Sequence, residues 1–429
     1  MVDRVYHYLV NRKPNIYHKY SSHRKGRKGI GVLESWLYLL WLNLSEPISG
    51  ETHSGQQSSK NNVLFKETSE SLEAKRESIQ ELANQCEGYD VISFDVFDTL
   101  LFRVVRRPSD SFYFIGERLN IPNFQGIRRE AESRMYRLKK HKGQVGEVTL
   151  EDIWKLIEKE KGIDHKQGIE AELETEKTMC FANPYMLELL KELKKRNKRL
   201  IAVSDMYLGK EQISNLLTRS GISDVFEEIF VSSEWGASKH KGRLYGIVKE
   251  KVGQECSYFH IGDNLHADVK QAKKYGFTPY HYPNVNDIGA PYRPTTLSVP
   301  AGSIYCGLVN AYIHSGRQQY SKEYELGFIY GGPLLSYYQQ QFSIKEEEGN
   351  EKQEETESAK IQCQELENNP IALLFLRSLN PKVLQGVEDF TVHYRERMKR
   401  APEINPQDVW TIIQGLESHV EKVKNIIHH

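Results

Sequence analysis

The chain has 429 residues, enough for two or three domains, and its 58 lysines and arginines equal its 58 aspartates and glutamates. A net charge of zero gives no global field to attract nucleic acid, and none is expected as a partner. The five cysteines, Cys86, Cys180, Cys256, Cys306 and Cys363, are scattered without a Cys-x-x-Cys pair, which argues against a disulfide framework or a zinc site and fits a reducing cytoplasm.

Residues 1–65 read as an N-terminal extension and linker. The first 29 carry Arg4, Arg12, Lys13, Lys19, Arg24, Lys25, Arg27 and Lys28 against Asp3 alone. Residues 30–44 are largely apolar but contain Glu34, and they are fewer than the roughly 20 a spanning helix needs. No small-residue cleavage site follows, so a signal peptide is not expected. The pattern predicts a helix packed on the main domain. The alternative is an interfacial anchor, with Trp36 and Trp41 at the boundary and basic residues on headgroups, giving a peripheral membrane contact. Residues 45–62, rich in Ser, Gly, Gln and Asn, read as a linker.

An amphipathic helix at 67–85 leads into an apolar run at 89–94 that ends at Asp95, followed by Val96-Phe97-Asp98-Thr99-Leu100. A carboxylate at the carboxyl end of a buried strand, before a tight turn, is a candidate nucleophile. About a hundred residues then precede Ser204, far more than a direct crossover needs. They read as helices at 108–119, 123–140, from a capping box at Thr149, 170–177 and 184–195. A second apolar run ends at Ser204. A helix at 210–220 and a strand at 228–232 follow. Lys239 lies in a loop that enters a helix at 242–251, and Lys241 competes with it for any role as a site cation. A strand at 258–261 ends in Gly262-Asp263-Asn264, with Asp268 in the next helix, and a last strand is expected at 277–281.

Alternating strands and helices predict an α/β core built on a doubly wound parallel sheet, with ligands at the carboxyl strand ends. The expected divisions are a core at 66–103 and 198–285, a helical cap at 104–197, a Tyr-rich region at 286–343, an acidic linker at 344–369 and a helical segment at 370–429. Residues 371–376 read as a buried strand or helix start and 408–427 as an amphipathic helix, so the C-terminal region is mostly helical.

Asp95, Ser204, Lys239 and the acidic segment Gly262-Asp263 to Asp268, in that order, resemble the four motifs of the haloacid dehalogenase-like (HAD) hydrolase superfamily over residues 88–282. More narrowly, Phe-Asp-Val-Phe-Asp-Thr-Leu with Ser-Asp-Met-Tyr and Gly-Asp-Asn looks like HAD-like proteins of bacterial surface-polysaccharide loci. The resemblance implies a HAD-like Rossmannoid core with a helical cap between the first two motifs. It implies that Asp95 forms an aspartyl-phosphate, that Ser204 donates to a phosphoryl oxygen and that Lys239 balances the charge. It also implies Mg2+ as cofactor, held by Asp95, the Phe97 carbonyl and Asp263, with Asp268 as an orienting or water-mediated partner. Asp98, Thr99 and Arg103 are placed at the substrate. For Asp98 the alternative is holding the turn, and for Arg103, with Arg106 and Arg107, a solvated loop face. His260, His266 and His281 are read as structural.

The chain departs from the family pattern at Phe97, where phosphatases of this kind carry a second acid; here an acid sits one place later, at Asp98. Two readings follow. One is a magnesium-dependent phosphatase or phosphotransferase acting on a small phosphorylated metabolite, with a sugar phosphate as the expected substrate. The other is a catalytically weak or inactive HAD-fold module that binds partners, a glycosyltransferase among them. Dehalogenation is disfavoured, because family dehalogenases need no magnesium and this chain keeps the acidic segment.

Overall fold

The computed structural model describes residues 20, 23, 34, 35, 37–39, 41, 76–141, 147–289, 294, 297–316, 320–347, 366, 368–396, 402–414, 416 and 423–425. The expected linker at 45–62 and most of the acidic run at 344–369 lie outside them. The chain divides into two compact units, 1–56 and 57–429. In the first, the described positions between 34 and 41 are helical, and the Tyr38 ring stacks on His23 and on Trp41. Among the described residues no helix is long and apolar enough to cross a membrane.

The second unit opens with α1 (Ile79–Gln85), started by a capping box in which Ser78 and Glu81 exchange hydrogen bonds. It leads into β1 (Val91–Phe94). After β1 the chain turns sharply: the amides of Leu100 and Leu101 both donate to the Val96 carbonyl, and Asp98 adopts φ 61°, a left-handed conformation that aspartate tolerates better than most residues. β2 (Leu101–Arg103) follows.

The cap is four helices, α2 (Ser111–Arg118), α3 (Phe124–His141), α4 (Leu150–Lys161) and α5 (His165–Met179). Thr149 caps α4 in the reciprocal arrangement its sequence signalled. β3 (Cys180–Ala182) returns antiparallel to β2, so a two-stranded hairpin brackets the cap. α6 (Pro184–Lys195) packs on α1. The sequence reading extended the cap to residue 197, whereas α6 lies on the core and leads straight into β4 (Arg199–Ser204).

α7 (Lys210–Arg219), β5 (Glu228–Val231), α8 (Arg243–Val252), β6 (Tyr258–Gly262) and β7 (Phe277–His281) complete the core. All five strands of the main sheet are parallel, in the order β5-β4-β1-β6-β7. β1 and β6 are buried at every position and β4 at all but its first, as expected of strands covered on both faces. The winding reverses at β1, between β4 and β6. That reversal opens a crevice at the carboxyl strand ends, the place where open α/β sheets bind ligands.

The Tyr-rich region is helical. α9 (Ala301–His314) packs near the core hairpin, and a long helix runs from Lys322–Leu326 through a π-helical stretch, Gly327–Gly331, into Gly332–Glu347. Residues 370–376, left open between strand and helix, form a helix behind the Asn369 cap. α10 (Pro381–Glu396) packs along the 322–347 helix. Of the helix expected at 408–427, Pro406–Gln414 and residues 423–425 are helical and Leu416 lies in a turn, the rest falling outside the described residues.

Candidate active site

The crevice holds a cavity of about 630 Å³ whose walls include Asp95, Ser204, Lys239, Asp263 and Asp268. The five residues arrive from the ends of four strands. Asp95 follows β1, and its amide donates to Ile261 of β6 at 2.8 Å. Ser204 closes β4 and is buried. Asp263 follows β6. Asp268 lies in the π-helical turn Leu265–Gln271, started by the Asn264 side chain, which accepts from His266 and Ala267 at 3.0 Å. Gly262 makes this approach possible, because a Cβ there would lie 2.4 Å from the Asp268 carboxyl carbon.

Lys239 joins two of the acids. Its ammonium pairs with Asp95 Oδ1 and donates to Asp268 Oδ1 at 2.7 Å, with only 2% of the lysine side chain exposed. Burial alone would lower its pKa, but the carboxylates of Asp268 and Asp95 outweigh this and hold it well above its ordinary value. Lys241, the competing lysine, points elsewhere and pairs with Glu147 at 2.9 Å.

Asp268 is held ionised. Burial pushes it up, but Lys239 and His260 prevail and hold it well below the carboxylate range. His260 Nε2 lies 3.0 Å from Asp268 Oδ1, and the Ser93 hydroxyl contacts Nδ1, so this histidine orients an acid of the site. Asp95 and Asp263 are pushed the other way. Burial and the Asp268 charge raise Asp95 to about 7 against the opposition of Lys239. Burial and the charges of Asp95 and Asp98 raise Asp263 to about 8. The buried Asp95 and Asp268 and the half-buried Asp263 share one lysine and are short of positive charge. One oxygen from each of Asp95, Asp263 and Asp268 lies within 4.8 Å of the others, a convergent set of hard donors that fits a metal ion.

The remaining candidates divide. Asp98 lines the cavity, its pKa raised by burial in spite of Arg103. Asn284 donates to Asp263 Oδ2 at 2.9 Å and also reaches Asp98, so it braces both acids. Phe97 lines the cavity and presents a ring, not an acid. Arg103 lines it too, but its Nε donates to both oxygens of Glu176 at 2.9 and 3.2 Å; its charge is matched within the protein, against the expected role at the substrate. Thr99, also expected at the substrate, is fully buried and does not line the cavity.

Asp205 was not anticipated. Its carboxylate accepts from the Lys239 and His240 amides at 2.6 and 2.9 Å and so fixes the loop that delivers Lys239. The cap supplies the far wall, including Phe112, Arg129, Ser133 and Tyr136.

Residues 89–276 match the family model for haloacid dehalogenase-like hydrolases, and that stretch contains every acid, the serine and the lysine of the crevice. The matched residues carry β1, β4, β5 and β6 of the parallel sheet. No curated protein matches the chain. Similar solved structures include the HAD-hydrolase YfnB from Bacillus subtilis bound to magnesium, 20% identical over 44% of this chain and 86% of that one, with a TM-score of 0.34. L-2-haloacid dehalogenase from Xanthobacter autotrophicus is 17% identical over 44% of this chain and 75% of that one, TM-score 0.34. A protein from Thermotoga maritima described as a beta-phosphoglucomutase is 14% identical over 51% of this chain and 91% of that one, TM-score 0.34.

Proposed function

We propose that this protein is a magnesium-dependent phosphohydrolase that acts on a small phosphorylated metabolite through an aspartyl-phosphate on Asp95. One observation carries the reading: Asp95, Asp263 and Asp268 converge on one point while Lys239 bridges two of them. A site built only to stabilise the fold has no use for three clustered carboxylates, two of them buried, with too little positive charge to balance them.

Asp95, Asp263 and Asp268 would hold Mg2+, with the Phe97 carbonyl that the resemblance adds. When bound, the ion supplies positive charge that screens the approach of two anions. Asp95 forms a bond to phosphorus and the bond to the leaving oxygen breaks, its electron pair staying on that oxygen. Lys239 favours the ionised form of Asp95 and attracts the phosphoryl group. Ser204 donates its hydroxyl to a phosphoryl oxygen. Water then releases phosphate and restores Asp95. With a ring at Phe97, no carboxyl at that position protonates the leaving oxygen, so leaving groups that need little protonation react best.

The second reading is a catalytically weak or inactive binding module, and the Phe97 ring in the place of an acid favours it. The polysaccharide-locus resemblance makes a sugar phosphate the first substrate to try and a glycosyltransferase the first partner, with the protein cytoplasmic and its N-terminal extension a peripheral membrane contact.

The test is phosphate release from sugar phosphates, nucleotides and an activated aryl phosphate, with and without Mg2+, beside Asp95→Asn. Magnesium-dependent release that disappears in the variant supports the hydrolase. Undiminished release in Asp95→Asn rules out the nucleophile assignment, and no release from any substrate favours the binding module.

A further inference from the structure

The walls of the crevice cavity carry the lysine and arginine side chains of Arg103, Arg129 and Lys239. Two of them are matched by carboxylates: Arg103 by Glu176, and Lys239 by Asp95 and Asp268. Arg129 is not. It is exposed on the cap side of the cavity, and among the described residues its guanidinium forms no ion pair or hydrogen bond. Two hydroxyls accompany it. Arg129, Ser133 and Tyr136 follow one another by four and three residues along α3, so they share one face of that helix, and all three line the cavity. Ser133 and Tyr136 are exposed as well, and neither side chain has a hydrogen-bond partner among the described residues. The acid on the same face, Glu132, is already held by Arg128 at 2.9 Å. The cap thus turns a free guanidinium and two free hydroxyls toward the cavity, along a face of about 10 Å, seven residues at about 1.5 Å each.

We propose that the substrate carries a second oxyanion, a carboxylate or a further phosphate, that Arg129 binds, and hydroxyls that Ser133 and Tyr136 bind. The proposal rests on the phosphohydrolase reading, which seats the reacting phosphoryl group against Asp95, Ser204 and Lys239 at the strand ends. The cap face is then left to the other end of the same molecule. A guanidinium offers a planar fork of donors that matches either oxyanion with two parallel hydrogen bonds. A neutral sugar end satisfies the two hydroxyls and leaves the guanidinium without a partner. An apolar leaving group satisfies none of the three. A small sugar acid phosphate or a sugar bisphosphate satisfies them all.

The test compares phosphate release, with Mg2+, within two pairs that differ at the far end: glycerol 3-phosphate against 3-phosphoglycerate, and fructose 6-phosphate against fructose 1,6-bisphosphate. Release from 4-nitrophenyl phosphate reports separately on the phosphohydrolase reading. In at least one pair the member with the second oxyanion is expected to have a kcat/KM at least about tenfold higher, the scale of a charge-assisted hydrogen bond. A preference in the first pair alone identifies a carboxylate, and in the second alone a phosphate. Arg129→Gln is expected to bring the ratio close to one, chiefly through KM, and Arg129→Lys, which keeps the charge without the fork, to keep part of it. Far-UV dichroism confirms that both variants are folded. Should no phosphate be released even from 4-nitrophenyl phosphate, the phosphohydrolase reading fails, and titration calorimetry with the same pairs reads the preference as a ratio of Kd values. No preference in either pair, a preference that survives in Arg129→Gln, or an equal loss on both members of a pair would each overturn the proposal.

Discussion

The Arg103 guanidinium lies over the Phe97 ring, its central carbon 4.3 Å from the ring centroid, while Glu176 holds its Nε at 2.9 Å. The ring at the position of the missing acid is therefore clamped by a cation that Glu176 has neutralised. Phe97→Asp tests what the ring costs. The new carboxyl would face the cavity with a guanidinium at hand. Turnover of alkyl phosphates is expected to rise by about 10²-fold, the lower end of the usual gain from general acid-base help. Activated aryl phosphates should gain much less, because their leaving groups need no proton. The readout is the ratio of aryl to alkyl turnover. An unchanged ratio would mean that proton delivery does not limit the reaction.

The raised pKa values of Asp95 and Asp263 make metal binding and stability depend on pH. Free aspartate titrates near 4, whereas these two titrate at about 7 and about 8 in the folded protein. Between those limits the metal-free folded state keeps protons that the unfolded chain has released. Stability from this source is full below about pH 4 and is lost as pH rises through about 8. Binding of Mg2+ needs the carboxylates ionised and so releases protons. The Tm of the EDTA-treated protein should fall from about pH 5.5 to 8, and the Mg2+-induced rise in Tm should be larger at the upper end. Asp263→Asn should flatten the first trend and weaken the second. Equal slopes in the variant and the wild type would place the pH dependence elsewhere.

Asp95, Ser204 and Asp263 stand out in the sequence because each follows or closes an apolar run that stops at a polar residue, whereas Lys239 and Asp268 are picked out only by their order in the chain relative to these. The partners that hold them do not stand out. Glu176 is 73 residues from Arg103, so a run of arginines after the first motif looked like a solvated face or an anion site. Asp205 is 34 residues from Lys239 and its role depends on two backbone amides, which have no sequence signature. The β2–β3 hairpin was missed because three-residue strands show no periodicity. With the hairpin unseen, the end of the cap was placed after α6 instead of before it.

Glu172 ties the cap together. Its carboxylate accepts from Arg128 of α3 at 2.9 and 2.8 Å and from the Trp154 indole of α4 at 2.8 Å, and Arg128 and Glu172 are fully buried. Glu172→Ala leaves a buried guanidinium without its main partner, a loss of about 3–5 kcal/mol. Arg128→Met/Glu172→Leu removes both charges and should recover most of that loss. Chemical denaturation of the two variants measures the difference. If the double variant is no more stable than Glu172→Ala, the cost lies in packing around Trp154 rather than in the unpaired charge.

The C-terminal third is fitted to the α/β core through α9. The Arg106 amide donates to the Ser303 carbonyl at 3.0 Å, and the Ser303 hydroxyl donates to Asp110 at 2.6 Å. Between these contacts α9 presents Gly307, where a Cβ would meet the Val104 carbonyl oxygen at 2.2 Å. Backbone cannot give way as a side chain does, so Gly307→Ala must push α9 off the segment that leaves Arg103. The expected cost is about 1–3 kcal/mol, typical of overpacking. Gly126→Ala in α3 is the control, since nothing lies within 4 Å of its added methyl, and alanine in a helix should stabilise by roughly 0.5–1 kcal/mol. Opposite shifts of the two unfolding midpoints are expected. A Gly307→Ala protein as stable as the wild type would show that α9 is not seated on the core in solution, and that residues 297–316 belong to a separately folding part.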